Sequence, residues 1–124
     1  MAPLTGSRTD TLQPPLDHAA FRSTWGAEPV DSATLLLEYA KSNNKDLLAL
    51  KIALEKFHLQ DIMDHAHRIA GASQIVGALG VVDCCRELEA AARDNEWRAI
   101  TDKVEALRHE IGRVHTYISS IQAA

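Results

Sequence analysis

The sequence predicts an all-α protein, an antiparallel up-and-down four-helix bundle with a short extra N-terminal helix. Four segments carry apolar residues at alternating spacings of three and four, which is the repeat of one helix face. No segment shows the period-two alternation or the β-branched clusters that strands require. Short connections join the segments, and short connections favour antiparallel neighbours in a bundle.

The N-terminal part divides into a tail and a short helix. Residues 1–15 are rich in Thr, Pro and Ser without apolar periodicity, so we expect a flexible linker or tail there. The domain is then predicted to span 16–124. Asp17 can cap a short helix that ends at Trp25, presents Phe21 and Trp25 on one side, and lies over one end of the bundle.

The first long helix is predicted to begin near Pro29, where Asp31 or Ser32 can accept the first free backbone N–H groups. The polar segment 42–44 looks like a break by composition, yet the apolar spacing continues through it unshifted. We therefore predict one helix that ends at Phe57. The residues that keep this spacing are Leu36, Ala40, Asn43, Leu47, Leu50, Leu54 and Phe57.

Three more helices follow. The second ends near Gly77, and Gly77 and Gly80 bracket a short connection. The third ends around Asp94, and Asn95 is predicted to cap the fourth. The inward residues of the second helix are Ile62, Ala66, Ile69, Ser73 and Val76. Those of the third are Val81, Cys84 or Cys85, Leu88 and Ala92. Those of the fourth are Trp97, Ile100, Val104, Leu107, Ile111, Val114, Ile118 and Ile121.

Composition argues against several function classes. The 124 residues include 13 Lys+Arg and 17 Asp+Glu, a net charge of −4, and they contain no basic block, so we expect no nucleic acid as a partner. No apolar run approaches the ~20 residues that cross a bilayer, so we expect no membrane contact by this domain. Cys84 and Cys85 are adjacent and cannot join distant segments, which favours a reducing, cytoplasmic setting.

A metal or redox enzyme built on a helical bundle is an alternative. Glu55 and His58 form one Glu-x-x-His motif, but a carboxylate di-metal bundle needs two such motifs and two further inward Glu residues. Asp61 and His65 stand four residues apart and could bind a metal, although such a pair is usually a surface contact. We therefore expect no metal site.

The second helix has an unusual outer face. At about 100° per residue, four residues fall opposite its core stripe, and two more lie on the shoulder of that face. His67 is followed one turn later by Gly71, which costs about 1 kcal/mol against Ala inside a helix. The missing side chain lets another surface approach the imidazole, and histidine can form covalent intermediates as a nucleophile. The face comprises His67, Gly71, Gln74 and Ala78, with Arg68 and Ile75 on its shoulder.

Residues 67–78, HRIAGASQIVGA, resemble the signature of histidine-containing phosphotransfer (HPt) domains. In that signature a His is followed by a basic residue at the third position, Gly at the fourth, small residues and a second Gly. The basic residue is usually Lys, and this chain has Ala70 in its place. Further likeness at Leu16-Asp17, Ala66 and Leu88-Glu89 extends the resemblance over about 16–122. It is closest to the C-terminal phosphotransfer domains of hybrid sensor kinases of the BvgS/EvgS type.

The resemblance implies a role for each residue of this face. His67 would accept a phosphoryl group through Nε2. Gly71 would keep the approach clear, and Gln74 would hydrogen-bond near the imidazole or a phosphoryl oxygen. Arg68 would replace the missing lysine in part. Small apolar contacts to a docking receiver domain would come from Ala70, Ile75 and Ala78.

The resemblance also implies partners. The phosphoryl group would come from a receiver-domain aspartate of a parent hybrid kinase and pass to a downstream response regulator. Mg²⁺ would be held by the receiver, and this domain would bind no cofactor. We expect a cytoplasmic monomer without autonomous catalysis that forms part of a sensor histidine kinase. An interaction-only helical bundle, which docks a receiver without being phosphorylated, is the alternative.

Overall fold

The computed structural model describes residues 15–17 and 29–123, and four α-helices make up almost all of these residues. No strand occurs in the described ranges, so the predicted all-α fold class is confirmed. Apart from Asp17, the predicted short helix from Asp17 to Trp25 lies outside them. The four helices are α1 (Pro29–Glu55), α2 (Leu59–Val76), α3 (Leu79–Arg93) and α4 (Trp97–Ala123).

Side-chain pairs show that successive helices run antiparallel. The Tyr39 hydroxyl of α1 shares a hydrogen bond of 2.7 Å with the Ser73 hydroxyl of α2. Farther along α1, Asp46 pairs with Arg68, which lies earlier in α2. Only residues 77–78 connect α2 to α3, so the chain must reverse there.

The core lies on the predicted faces of α2, α3 and α4. Every predicted inward residue of α2 is buried, and Cys85 occupies the core while Cys84 is half-buried. In α4 the predicted residues from Ile100 to Ile118 are buried, but Trp97 is half-buried and Ile121 is exposed because they lie at the helix ends. The core residues of α2 and α3 that were predicted are Ile62, Ala66, Ile69, Ser73, Val76, Val81, Cys85, Leu88 and Ala92.

Phe57 departs from its prediction as the inward end of α1. The helix ends at Glu55, and Phe57 has a φ of +57°, so its side chain leaves the inward stripe and is 69% exposed. Its ring packs edge-on against Trp97, with centroids 5.1 Å apart. Asn43, the one polar member of that stripe, is fully buried and the helix continues through it, as predicted.

Asn95 belongs to the C-terminal turn that follows α3 and does not cap α4, so that prediction is wrong. Its φ is +56°, and its N–H donates to the Ala92 carbonyl at 3.0 Å. The next N–H, that of Glu96, donates to the Ala91 carbonyl at 3.2 Å, which completes the hydrogen-bond pattern of a helix C-terminus. The Glu96 carbonyl accepts the N–H of Ile100, so Glu96 is the N-cap residue of α4, which begins at Trp97.

Gly77 fixes the turn between α2 and α3. Its φ is +79°, and a Cβ at this position would lie 2.6 Å from the Asp17 carbonyl oxygen. The Asp17 N–H donates to the Gly77 carbonyl at 2.7 Å, and the neighbouring Leu16 is buried. The segment 15–17 is therefore held against the α2–α3 connection.

Candidate functional site

His67 projects from the middle of α2 into solvent. Its neighbours Ala66 and Ile69 point into the core and are fully buried, so the helical repeat turns residue 67 outward. The side chain of His67 is 84% exposed. The helix that carries the ring is fixed by packing, and the ring itself is accessible.

A carboxylate of the neighbouring helix lies beside the imidazole. Glu89 Oε2 of α3 is 3.7 Å from His67 Nδ1, which is within ion-pair range but too long for a hydrogen bond. The Glu89 side chain is 19% exposed, so the carboxylate is held close to the bundle surface. An acceptor on this side favours the proton on Nδ1 and leaves the lone pair on Nε2.

Sequence reasoning missed this contact. It noted Glu89 only as part of the likeness in the third helix and gave it no role. The two-residue connection between α2 and α3 carried a usable signal. In an antiparallel pair joined at 77–78, residues ten positions before the turn in α2 and about eleven after it in α3 lie side by side.

Gly71 leaves an open space one turn beyond His67. A Cβ built on Gly71 would meet no atom of the described residues within 4 Å, apart from its own helix. Among the residues that the structure describes, the glycine therefore relieves no clash, although it costs about 1 kcal/mol of helix stability. The free space leaves room for a molecule that approaches from outside.

Arg68 lies on the side of α2 that faces α1. Its guanidinium lies 3.4 Å from a carboxylate oxygen of Asp46, and the Asp46 side chain is almost buried. This pairing directs the charge of Arg68 toward α1, whereas His67 leans toward α3. Arg68 was predicted to replace the missing lysine in part. In the structure Asp46 competes for its charge.

The predicted docking residues divide into two groups. Gln74 and Ile75 are exposed, as expected for that face. Ala70 and Ala78 are buried, so the expectation that they lie on the surface is wrong. Ala70 sits on the side of α2 that packs against α3. Ala78 lies beyond Gly77, where the left-handed turn has ended the helical repeat on which the expectation rested.

The remaining reactive side chains lie apart from His67. Burial raises the pKa of Cys85 to about 12, which keeps the thiol protonated and poorly reactive at neutral pH. Asp61 pairs with His58 at 3.4 Å, whereas His65 is half-buried with its Nδ1 unbonded within the described ranges. Among the same residues, no three His, Cys, Asp or Glu side chains come together as a metal site, and no helix has the length and hydropathy of a membrane span.

A family model and a solved structure each match most of this chain. A family model described as "Hpt domain" matches residues 34–117. A solved structure, that of histidine-containing phosphotransfer protein B (HptB) from Pseudomonas aeruginosa PAO1, superimposes with a TM-score of 0.82. The alignment has 24% identity and covers 89% of this chain and 96% of that chain, which establishes likeness of fold. Curated protein sequences give no significant match.

The family model covers well over half of the chain. It includes all of α2, which carries His67, and all of α3, which carries Glu89. The protein accordingly belongs to the Hpt domain family and acts as a phosphotransfer intermediate in a phosphorelay.

Proposed function

We propose that His67 is the residue that accepts the phosphoryl group and carries it on Nε2. The supporting observation is the arrangement of its imidazole, which is 84% exposed while Nδ1 lies 3.7 Å from the Glu89 carboxylate. A nucleophile that acts on another protein needs this combination of access and fixed orientation. Gly71 adds a clear approach, since a Cβ at this position would meet no atom of the described residues within 4 Å outside its own helix.

The transfer begins with a neutral imidazole that holds its proton on Nδ1. The Nε2 lone pair attacks the phosphorus of an aspartyl phosphate on a receiver domain. The N–P bond forms as the P–O bond to the aspartate breaks, and the electron pair of that bond remains on the aspartate as a carboxylate. The reverse sequence hands the group to the aspartate of a response regulator.

Glu89 acts on the charge that appears during this step. The ring keeps its Nδ1 proton while Nε2 becomes bonded to phosphorus, so it gains one positive charge. A carboxylate already in place beside Nδ1 stabilises that charge without rearrangement. Glu89 is therefore assigned as the residue that orients and stabilises the imidazole.

Hpt domains interact with receiver domains and response regulators, and we assign the parent protein more narrowly. On the resemblance of residues 67–78, the parent is a hybrid sensor kinase of the BvgS/EvgS type, with residues 1–15 as the linker and 16–124 as the domain. We assign the Mg²⁺ ion to the receiver domain. We also assign this domain to the cytoplasm and expect it to be a monomer. Gln74 and Ile75 contribute to the receiver contact, because both are exposed on the side of α2 that carries His67.

The test is phosphoryl transfer from a panel of receiver domains charged with labelled acetyl phosphate. Wild type is compared with His67→Gln and with His58→Gln. His58 is a matched control, since its imidazole is also exposed and lies 3.4 Å from a carboxylate, but the residue one turn later is the buried Ile62. We expect His67→Gln to abolish labelling and His58→Gln to leave it unchanged.

The chemistry of the label is a second readout. Phosphohistidine is acid-labile and stable in alkali, so the wild-type label should disappear in acid. Equal labelling of wild type and His67→Gln would refute the assignment of His67. Receiver binding without labelling of the wild type would support the interaction-only alternative and refute the proposed transfer.

A further inference from the structure

We propose that Arg86, on α3, is a positioning residue that binds the phosphoryl group while His67 carries it. This inference rests on the proposed role of His67 and assigns a partner to the phosphoryl oxygens within this chain. The contact consists of N–H donors of the Arg86 guanidinium and the oxygens of the phosphoryl group on Nε2.

The phosphorylated site needs a cation. A phosphoryl group on a side chain carries about −1.5 to −2 charges at neutral pH. It arrives next to Glu89, whose carboxylate is fixed beside the same ring. Position 70, on the α3 side of α2, supplies no charge because it is a buried alanine. The positive charge that the ring gains offsets only one of these negative charges, so the site keeps a net negative charge that a nearby cation would stabilise.

The register of α2 and α3 places Arg86 beside that site. His67 and Glu89 lie side by side, and the two helices are antiparallel. Three residues forward in α2 and three residues back in α3 therefore lead in the same direction, by about 4.5 Å along the bundle. These steps reach Ala70 and Arg86. Arg86 is exposed and stands at the level of Ala70 and Gly71, where α2 has no long side chain to obstruct it.

Arg86 also forms no ion pair in the described part of the chain, because no carboxylate there lies within ion-pair distance of its guanidinium. The competing cation on α2, Arg68, is held by Asp46 on the opposite flank. On α3, Arg93 is likewise exposed and unpaired within these ranges. It lies four residues beyond Glu89 in the other direction, level with the half-buried Met63 and away from the open space at Gly71.

Guanidinium suits this role better than an ammonium group would. Its planar fork presents parallel N–H donors that match two phosphoryl oxygens, and charge-assisted bonds of this kind are the stronger ones in proteins. The length of the arginine side chain lets the guanidinium reach across from α3 while Gly71 leaves the space above α2 free. Arg86 thus neutralises the phosphoryl group from α3.

The experiment uses the whole chain phosphorylated through a receiver, with Arg86→Gln, Arg86→Lys and the matched control Arg93→Gln. The readouts are the equilibrium fraction phosphorylated, the half-life of the phosphohistidine and its ³¹P chemical shift. We expect Arg86→Gln to lower the phosphorylated fraction about tenfold and to shift the ³¹P resonance. Arg86→Lys should recover part of the loss, and Arg93→Gln should match wild type.

Failure of the inference can be told apart from failure of the proposed function. If wild type is not labelled on His67, the proposed function fails. If wild type is labelled and Arg86→Gln has the same fraction, half-life and ³¹P shift, the assignment of Arg86 is wrong. An equal loss in Arg93→Gln would also overturn it, since the effect would then reflect charge on α3 in general. Circular dichroism establishes that each variant is folded.

Discussion

Replacing Glu89 by Gln tests whether its charge drives phosphoryl transfer to His67. The substitution keeps the size and shape of the side chain and removes one negative charge. At 3.7 Å, the attraction between unit charges is about 1 kcal/mol in water and about 4 kcal/mol at an effective dielectric constant of 20. The His67 ring is largely exposed, so the interaction falls near the lower end, at about 1–2 kcal/mol. The expected loss of rate is about 5- to 30-fold.

The assay is designed to isolate the charge that forms on the ring. Transfer is followed by rapid quench at saturating phosphorylated receiver, which gives the rate constant within the docked complex. In that complex the phosphoryl group already carries its charge, so its repulsion from Glu89 changes little during the step. The imidazole charge, in contrast, changes from zero to one. The measured ratio therefore reports mainly the Glu89–imidazole attraction.

Glu87→Gln is the matched control for this prediction. Glu87 lies on the same helix but pairs with Lys103 of α4 at 3.0 Å, away from His67. Its replacement should leave the rate constant within a factor of two of wild type. A Glu89→Gln rate constant within that same range, or above wild type, would refute the electrostatic role of Glu89.

Three further predictions follow from the same structure. Gly71→Arg should block transfer from the receiver with unchanged helical circular dichroism, and preserved transfer would refute the docking-face argument. Gly77→Ala should lower the free energy of unfolding by about 1–3 kcal/mol in urea titrations, since its φ of +79° and the nearby Asp17 carbonyl both oppose a side chain. Burial raises the pKa of Cys85 from 9.0 to about 12, so between these pH values only the unfolded chain loses this proton and stability should fall as pH rises. A urea midpoint that stays constant over that range would contradict it.

The inward faces were predictable wherever a long helix kept its repeat. Core residues such as Ile62 and Ile69 of α2 follow from apolar spacing alone, because burial of one face is what stabilises such a helix. The exposure of His67 follows from the same repeat. Asn43 lies in the polar segment 42–44, whose composition favours a turn. The apolar spacing nevertheless predicted the helix there correctly.

The errors lie where the backbone leaves the helix. Phe57 and Asn95 both adopt positive φ and close the preceding helix, and neither is glycine, the usual signal for this position. Asn95 could be read in two ways, because asparagine favours both the start of one helix and the left-handed end of another. Ala78 was misplaced because the repeat was extended past Gly77. The separation of Arg68 from the site depends on Asp46, a contact between helices that no local pattern reveals.

The turn at Gly77 controls the chemistry ten residues away. About 15 Å of helix separates Gly77 from His67, and the α2–α3 connection has only two residues, so the turn sets which residue of α3 faces the imidazole. A slip of one residue in α3 would shift its side chains by about 1.5 Å and rotate them by about 100°, which would carry Glu89 away from Nδ1. The Asp17 hydrogen bond at 2.7 Å and the close approach to Gly77 oppose such a slip. The bundle can therefore orient an exposed imidazole accurately, because the geometry of a buried turn fixes the position of the carboxylate.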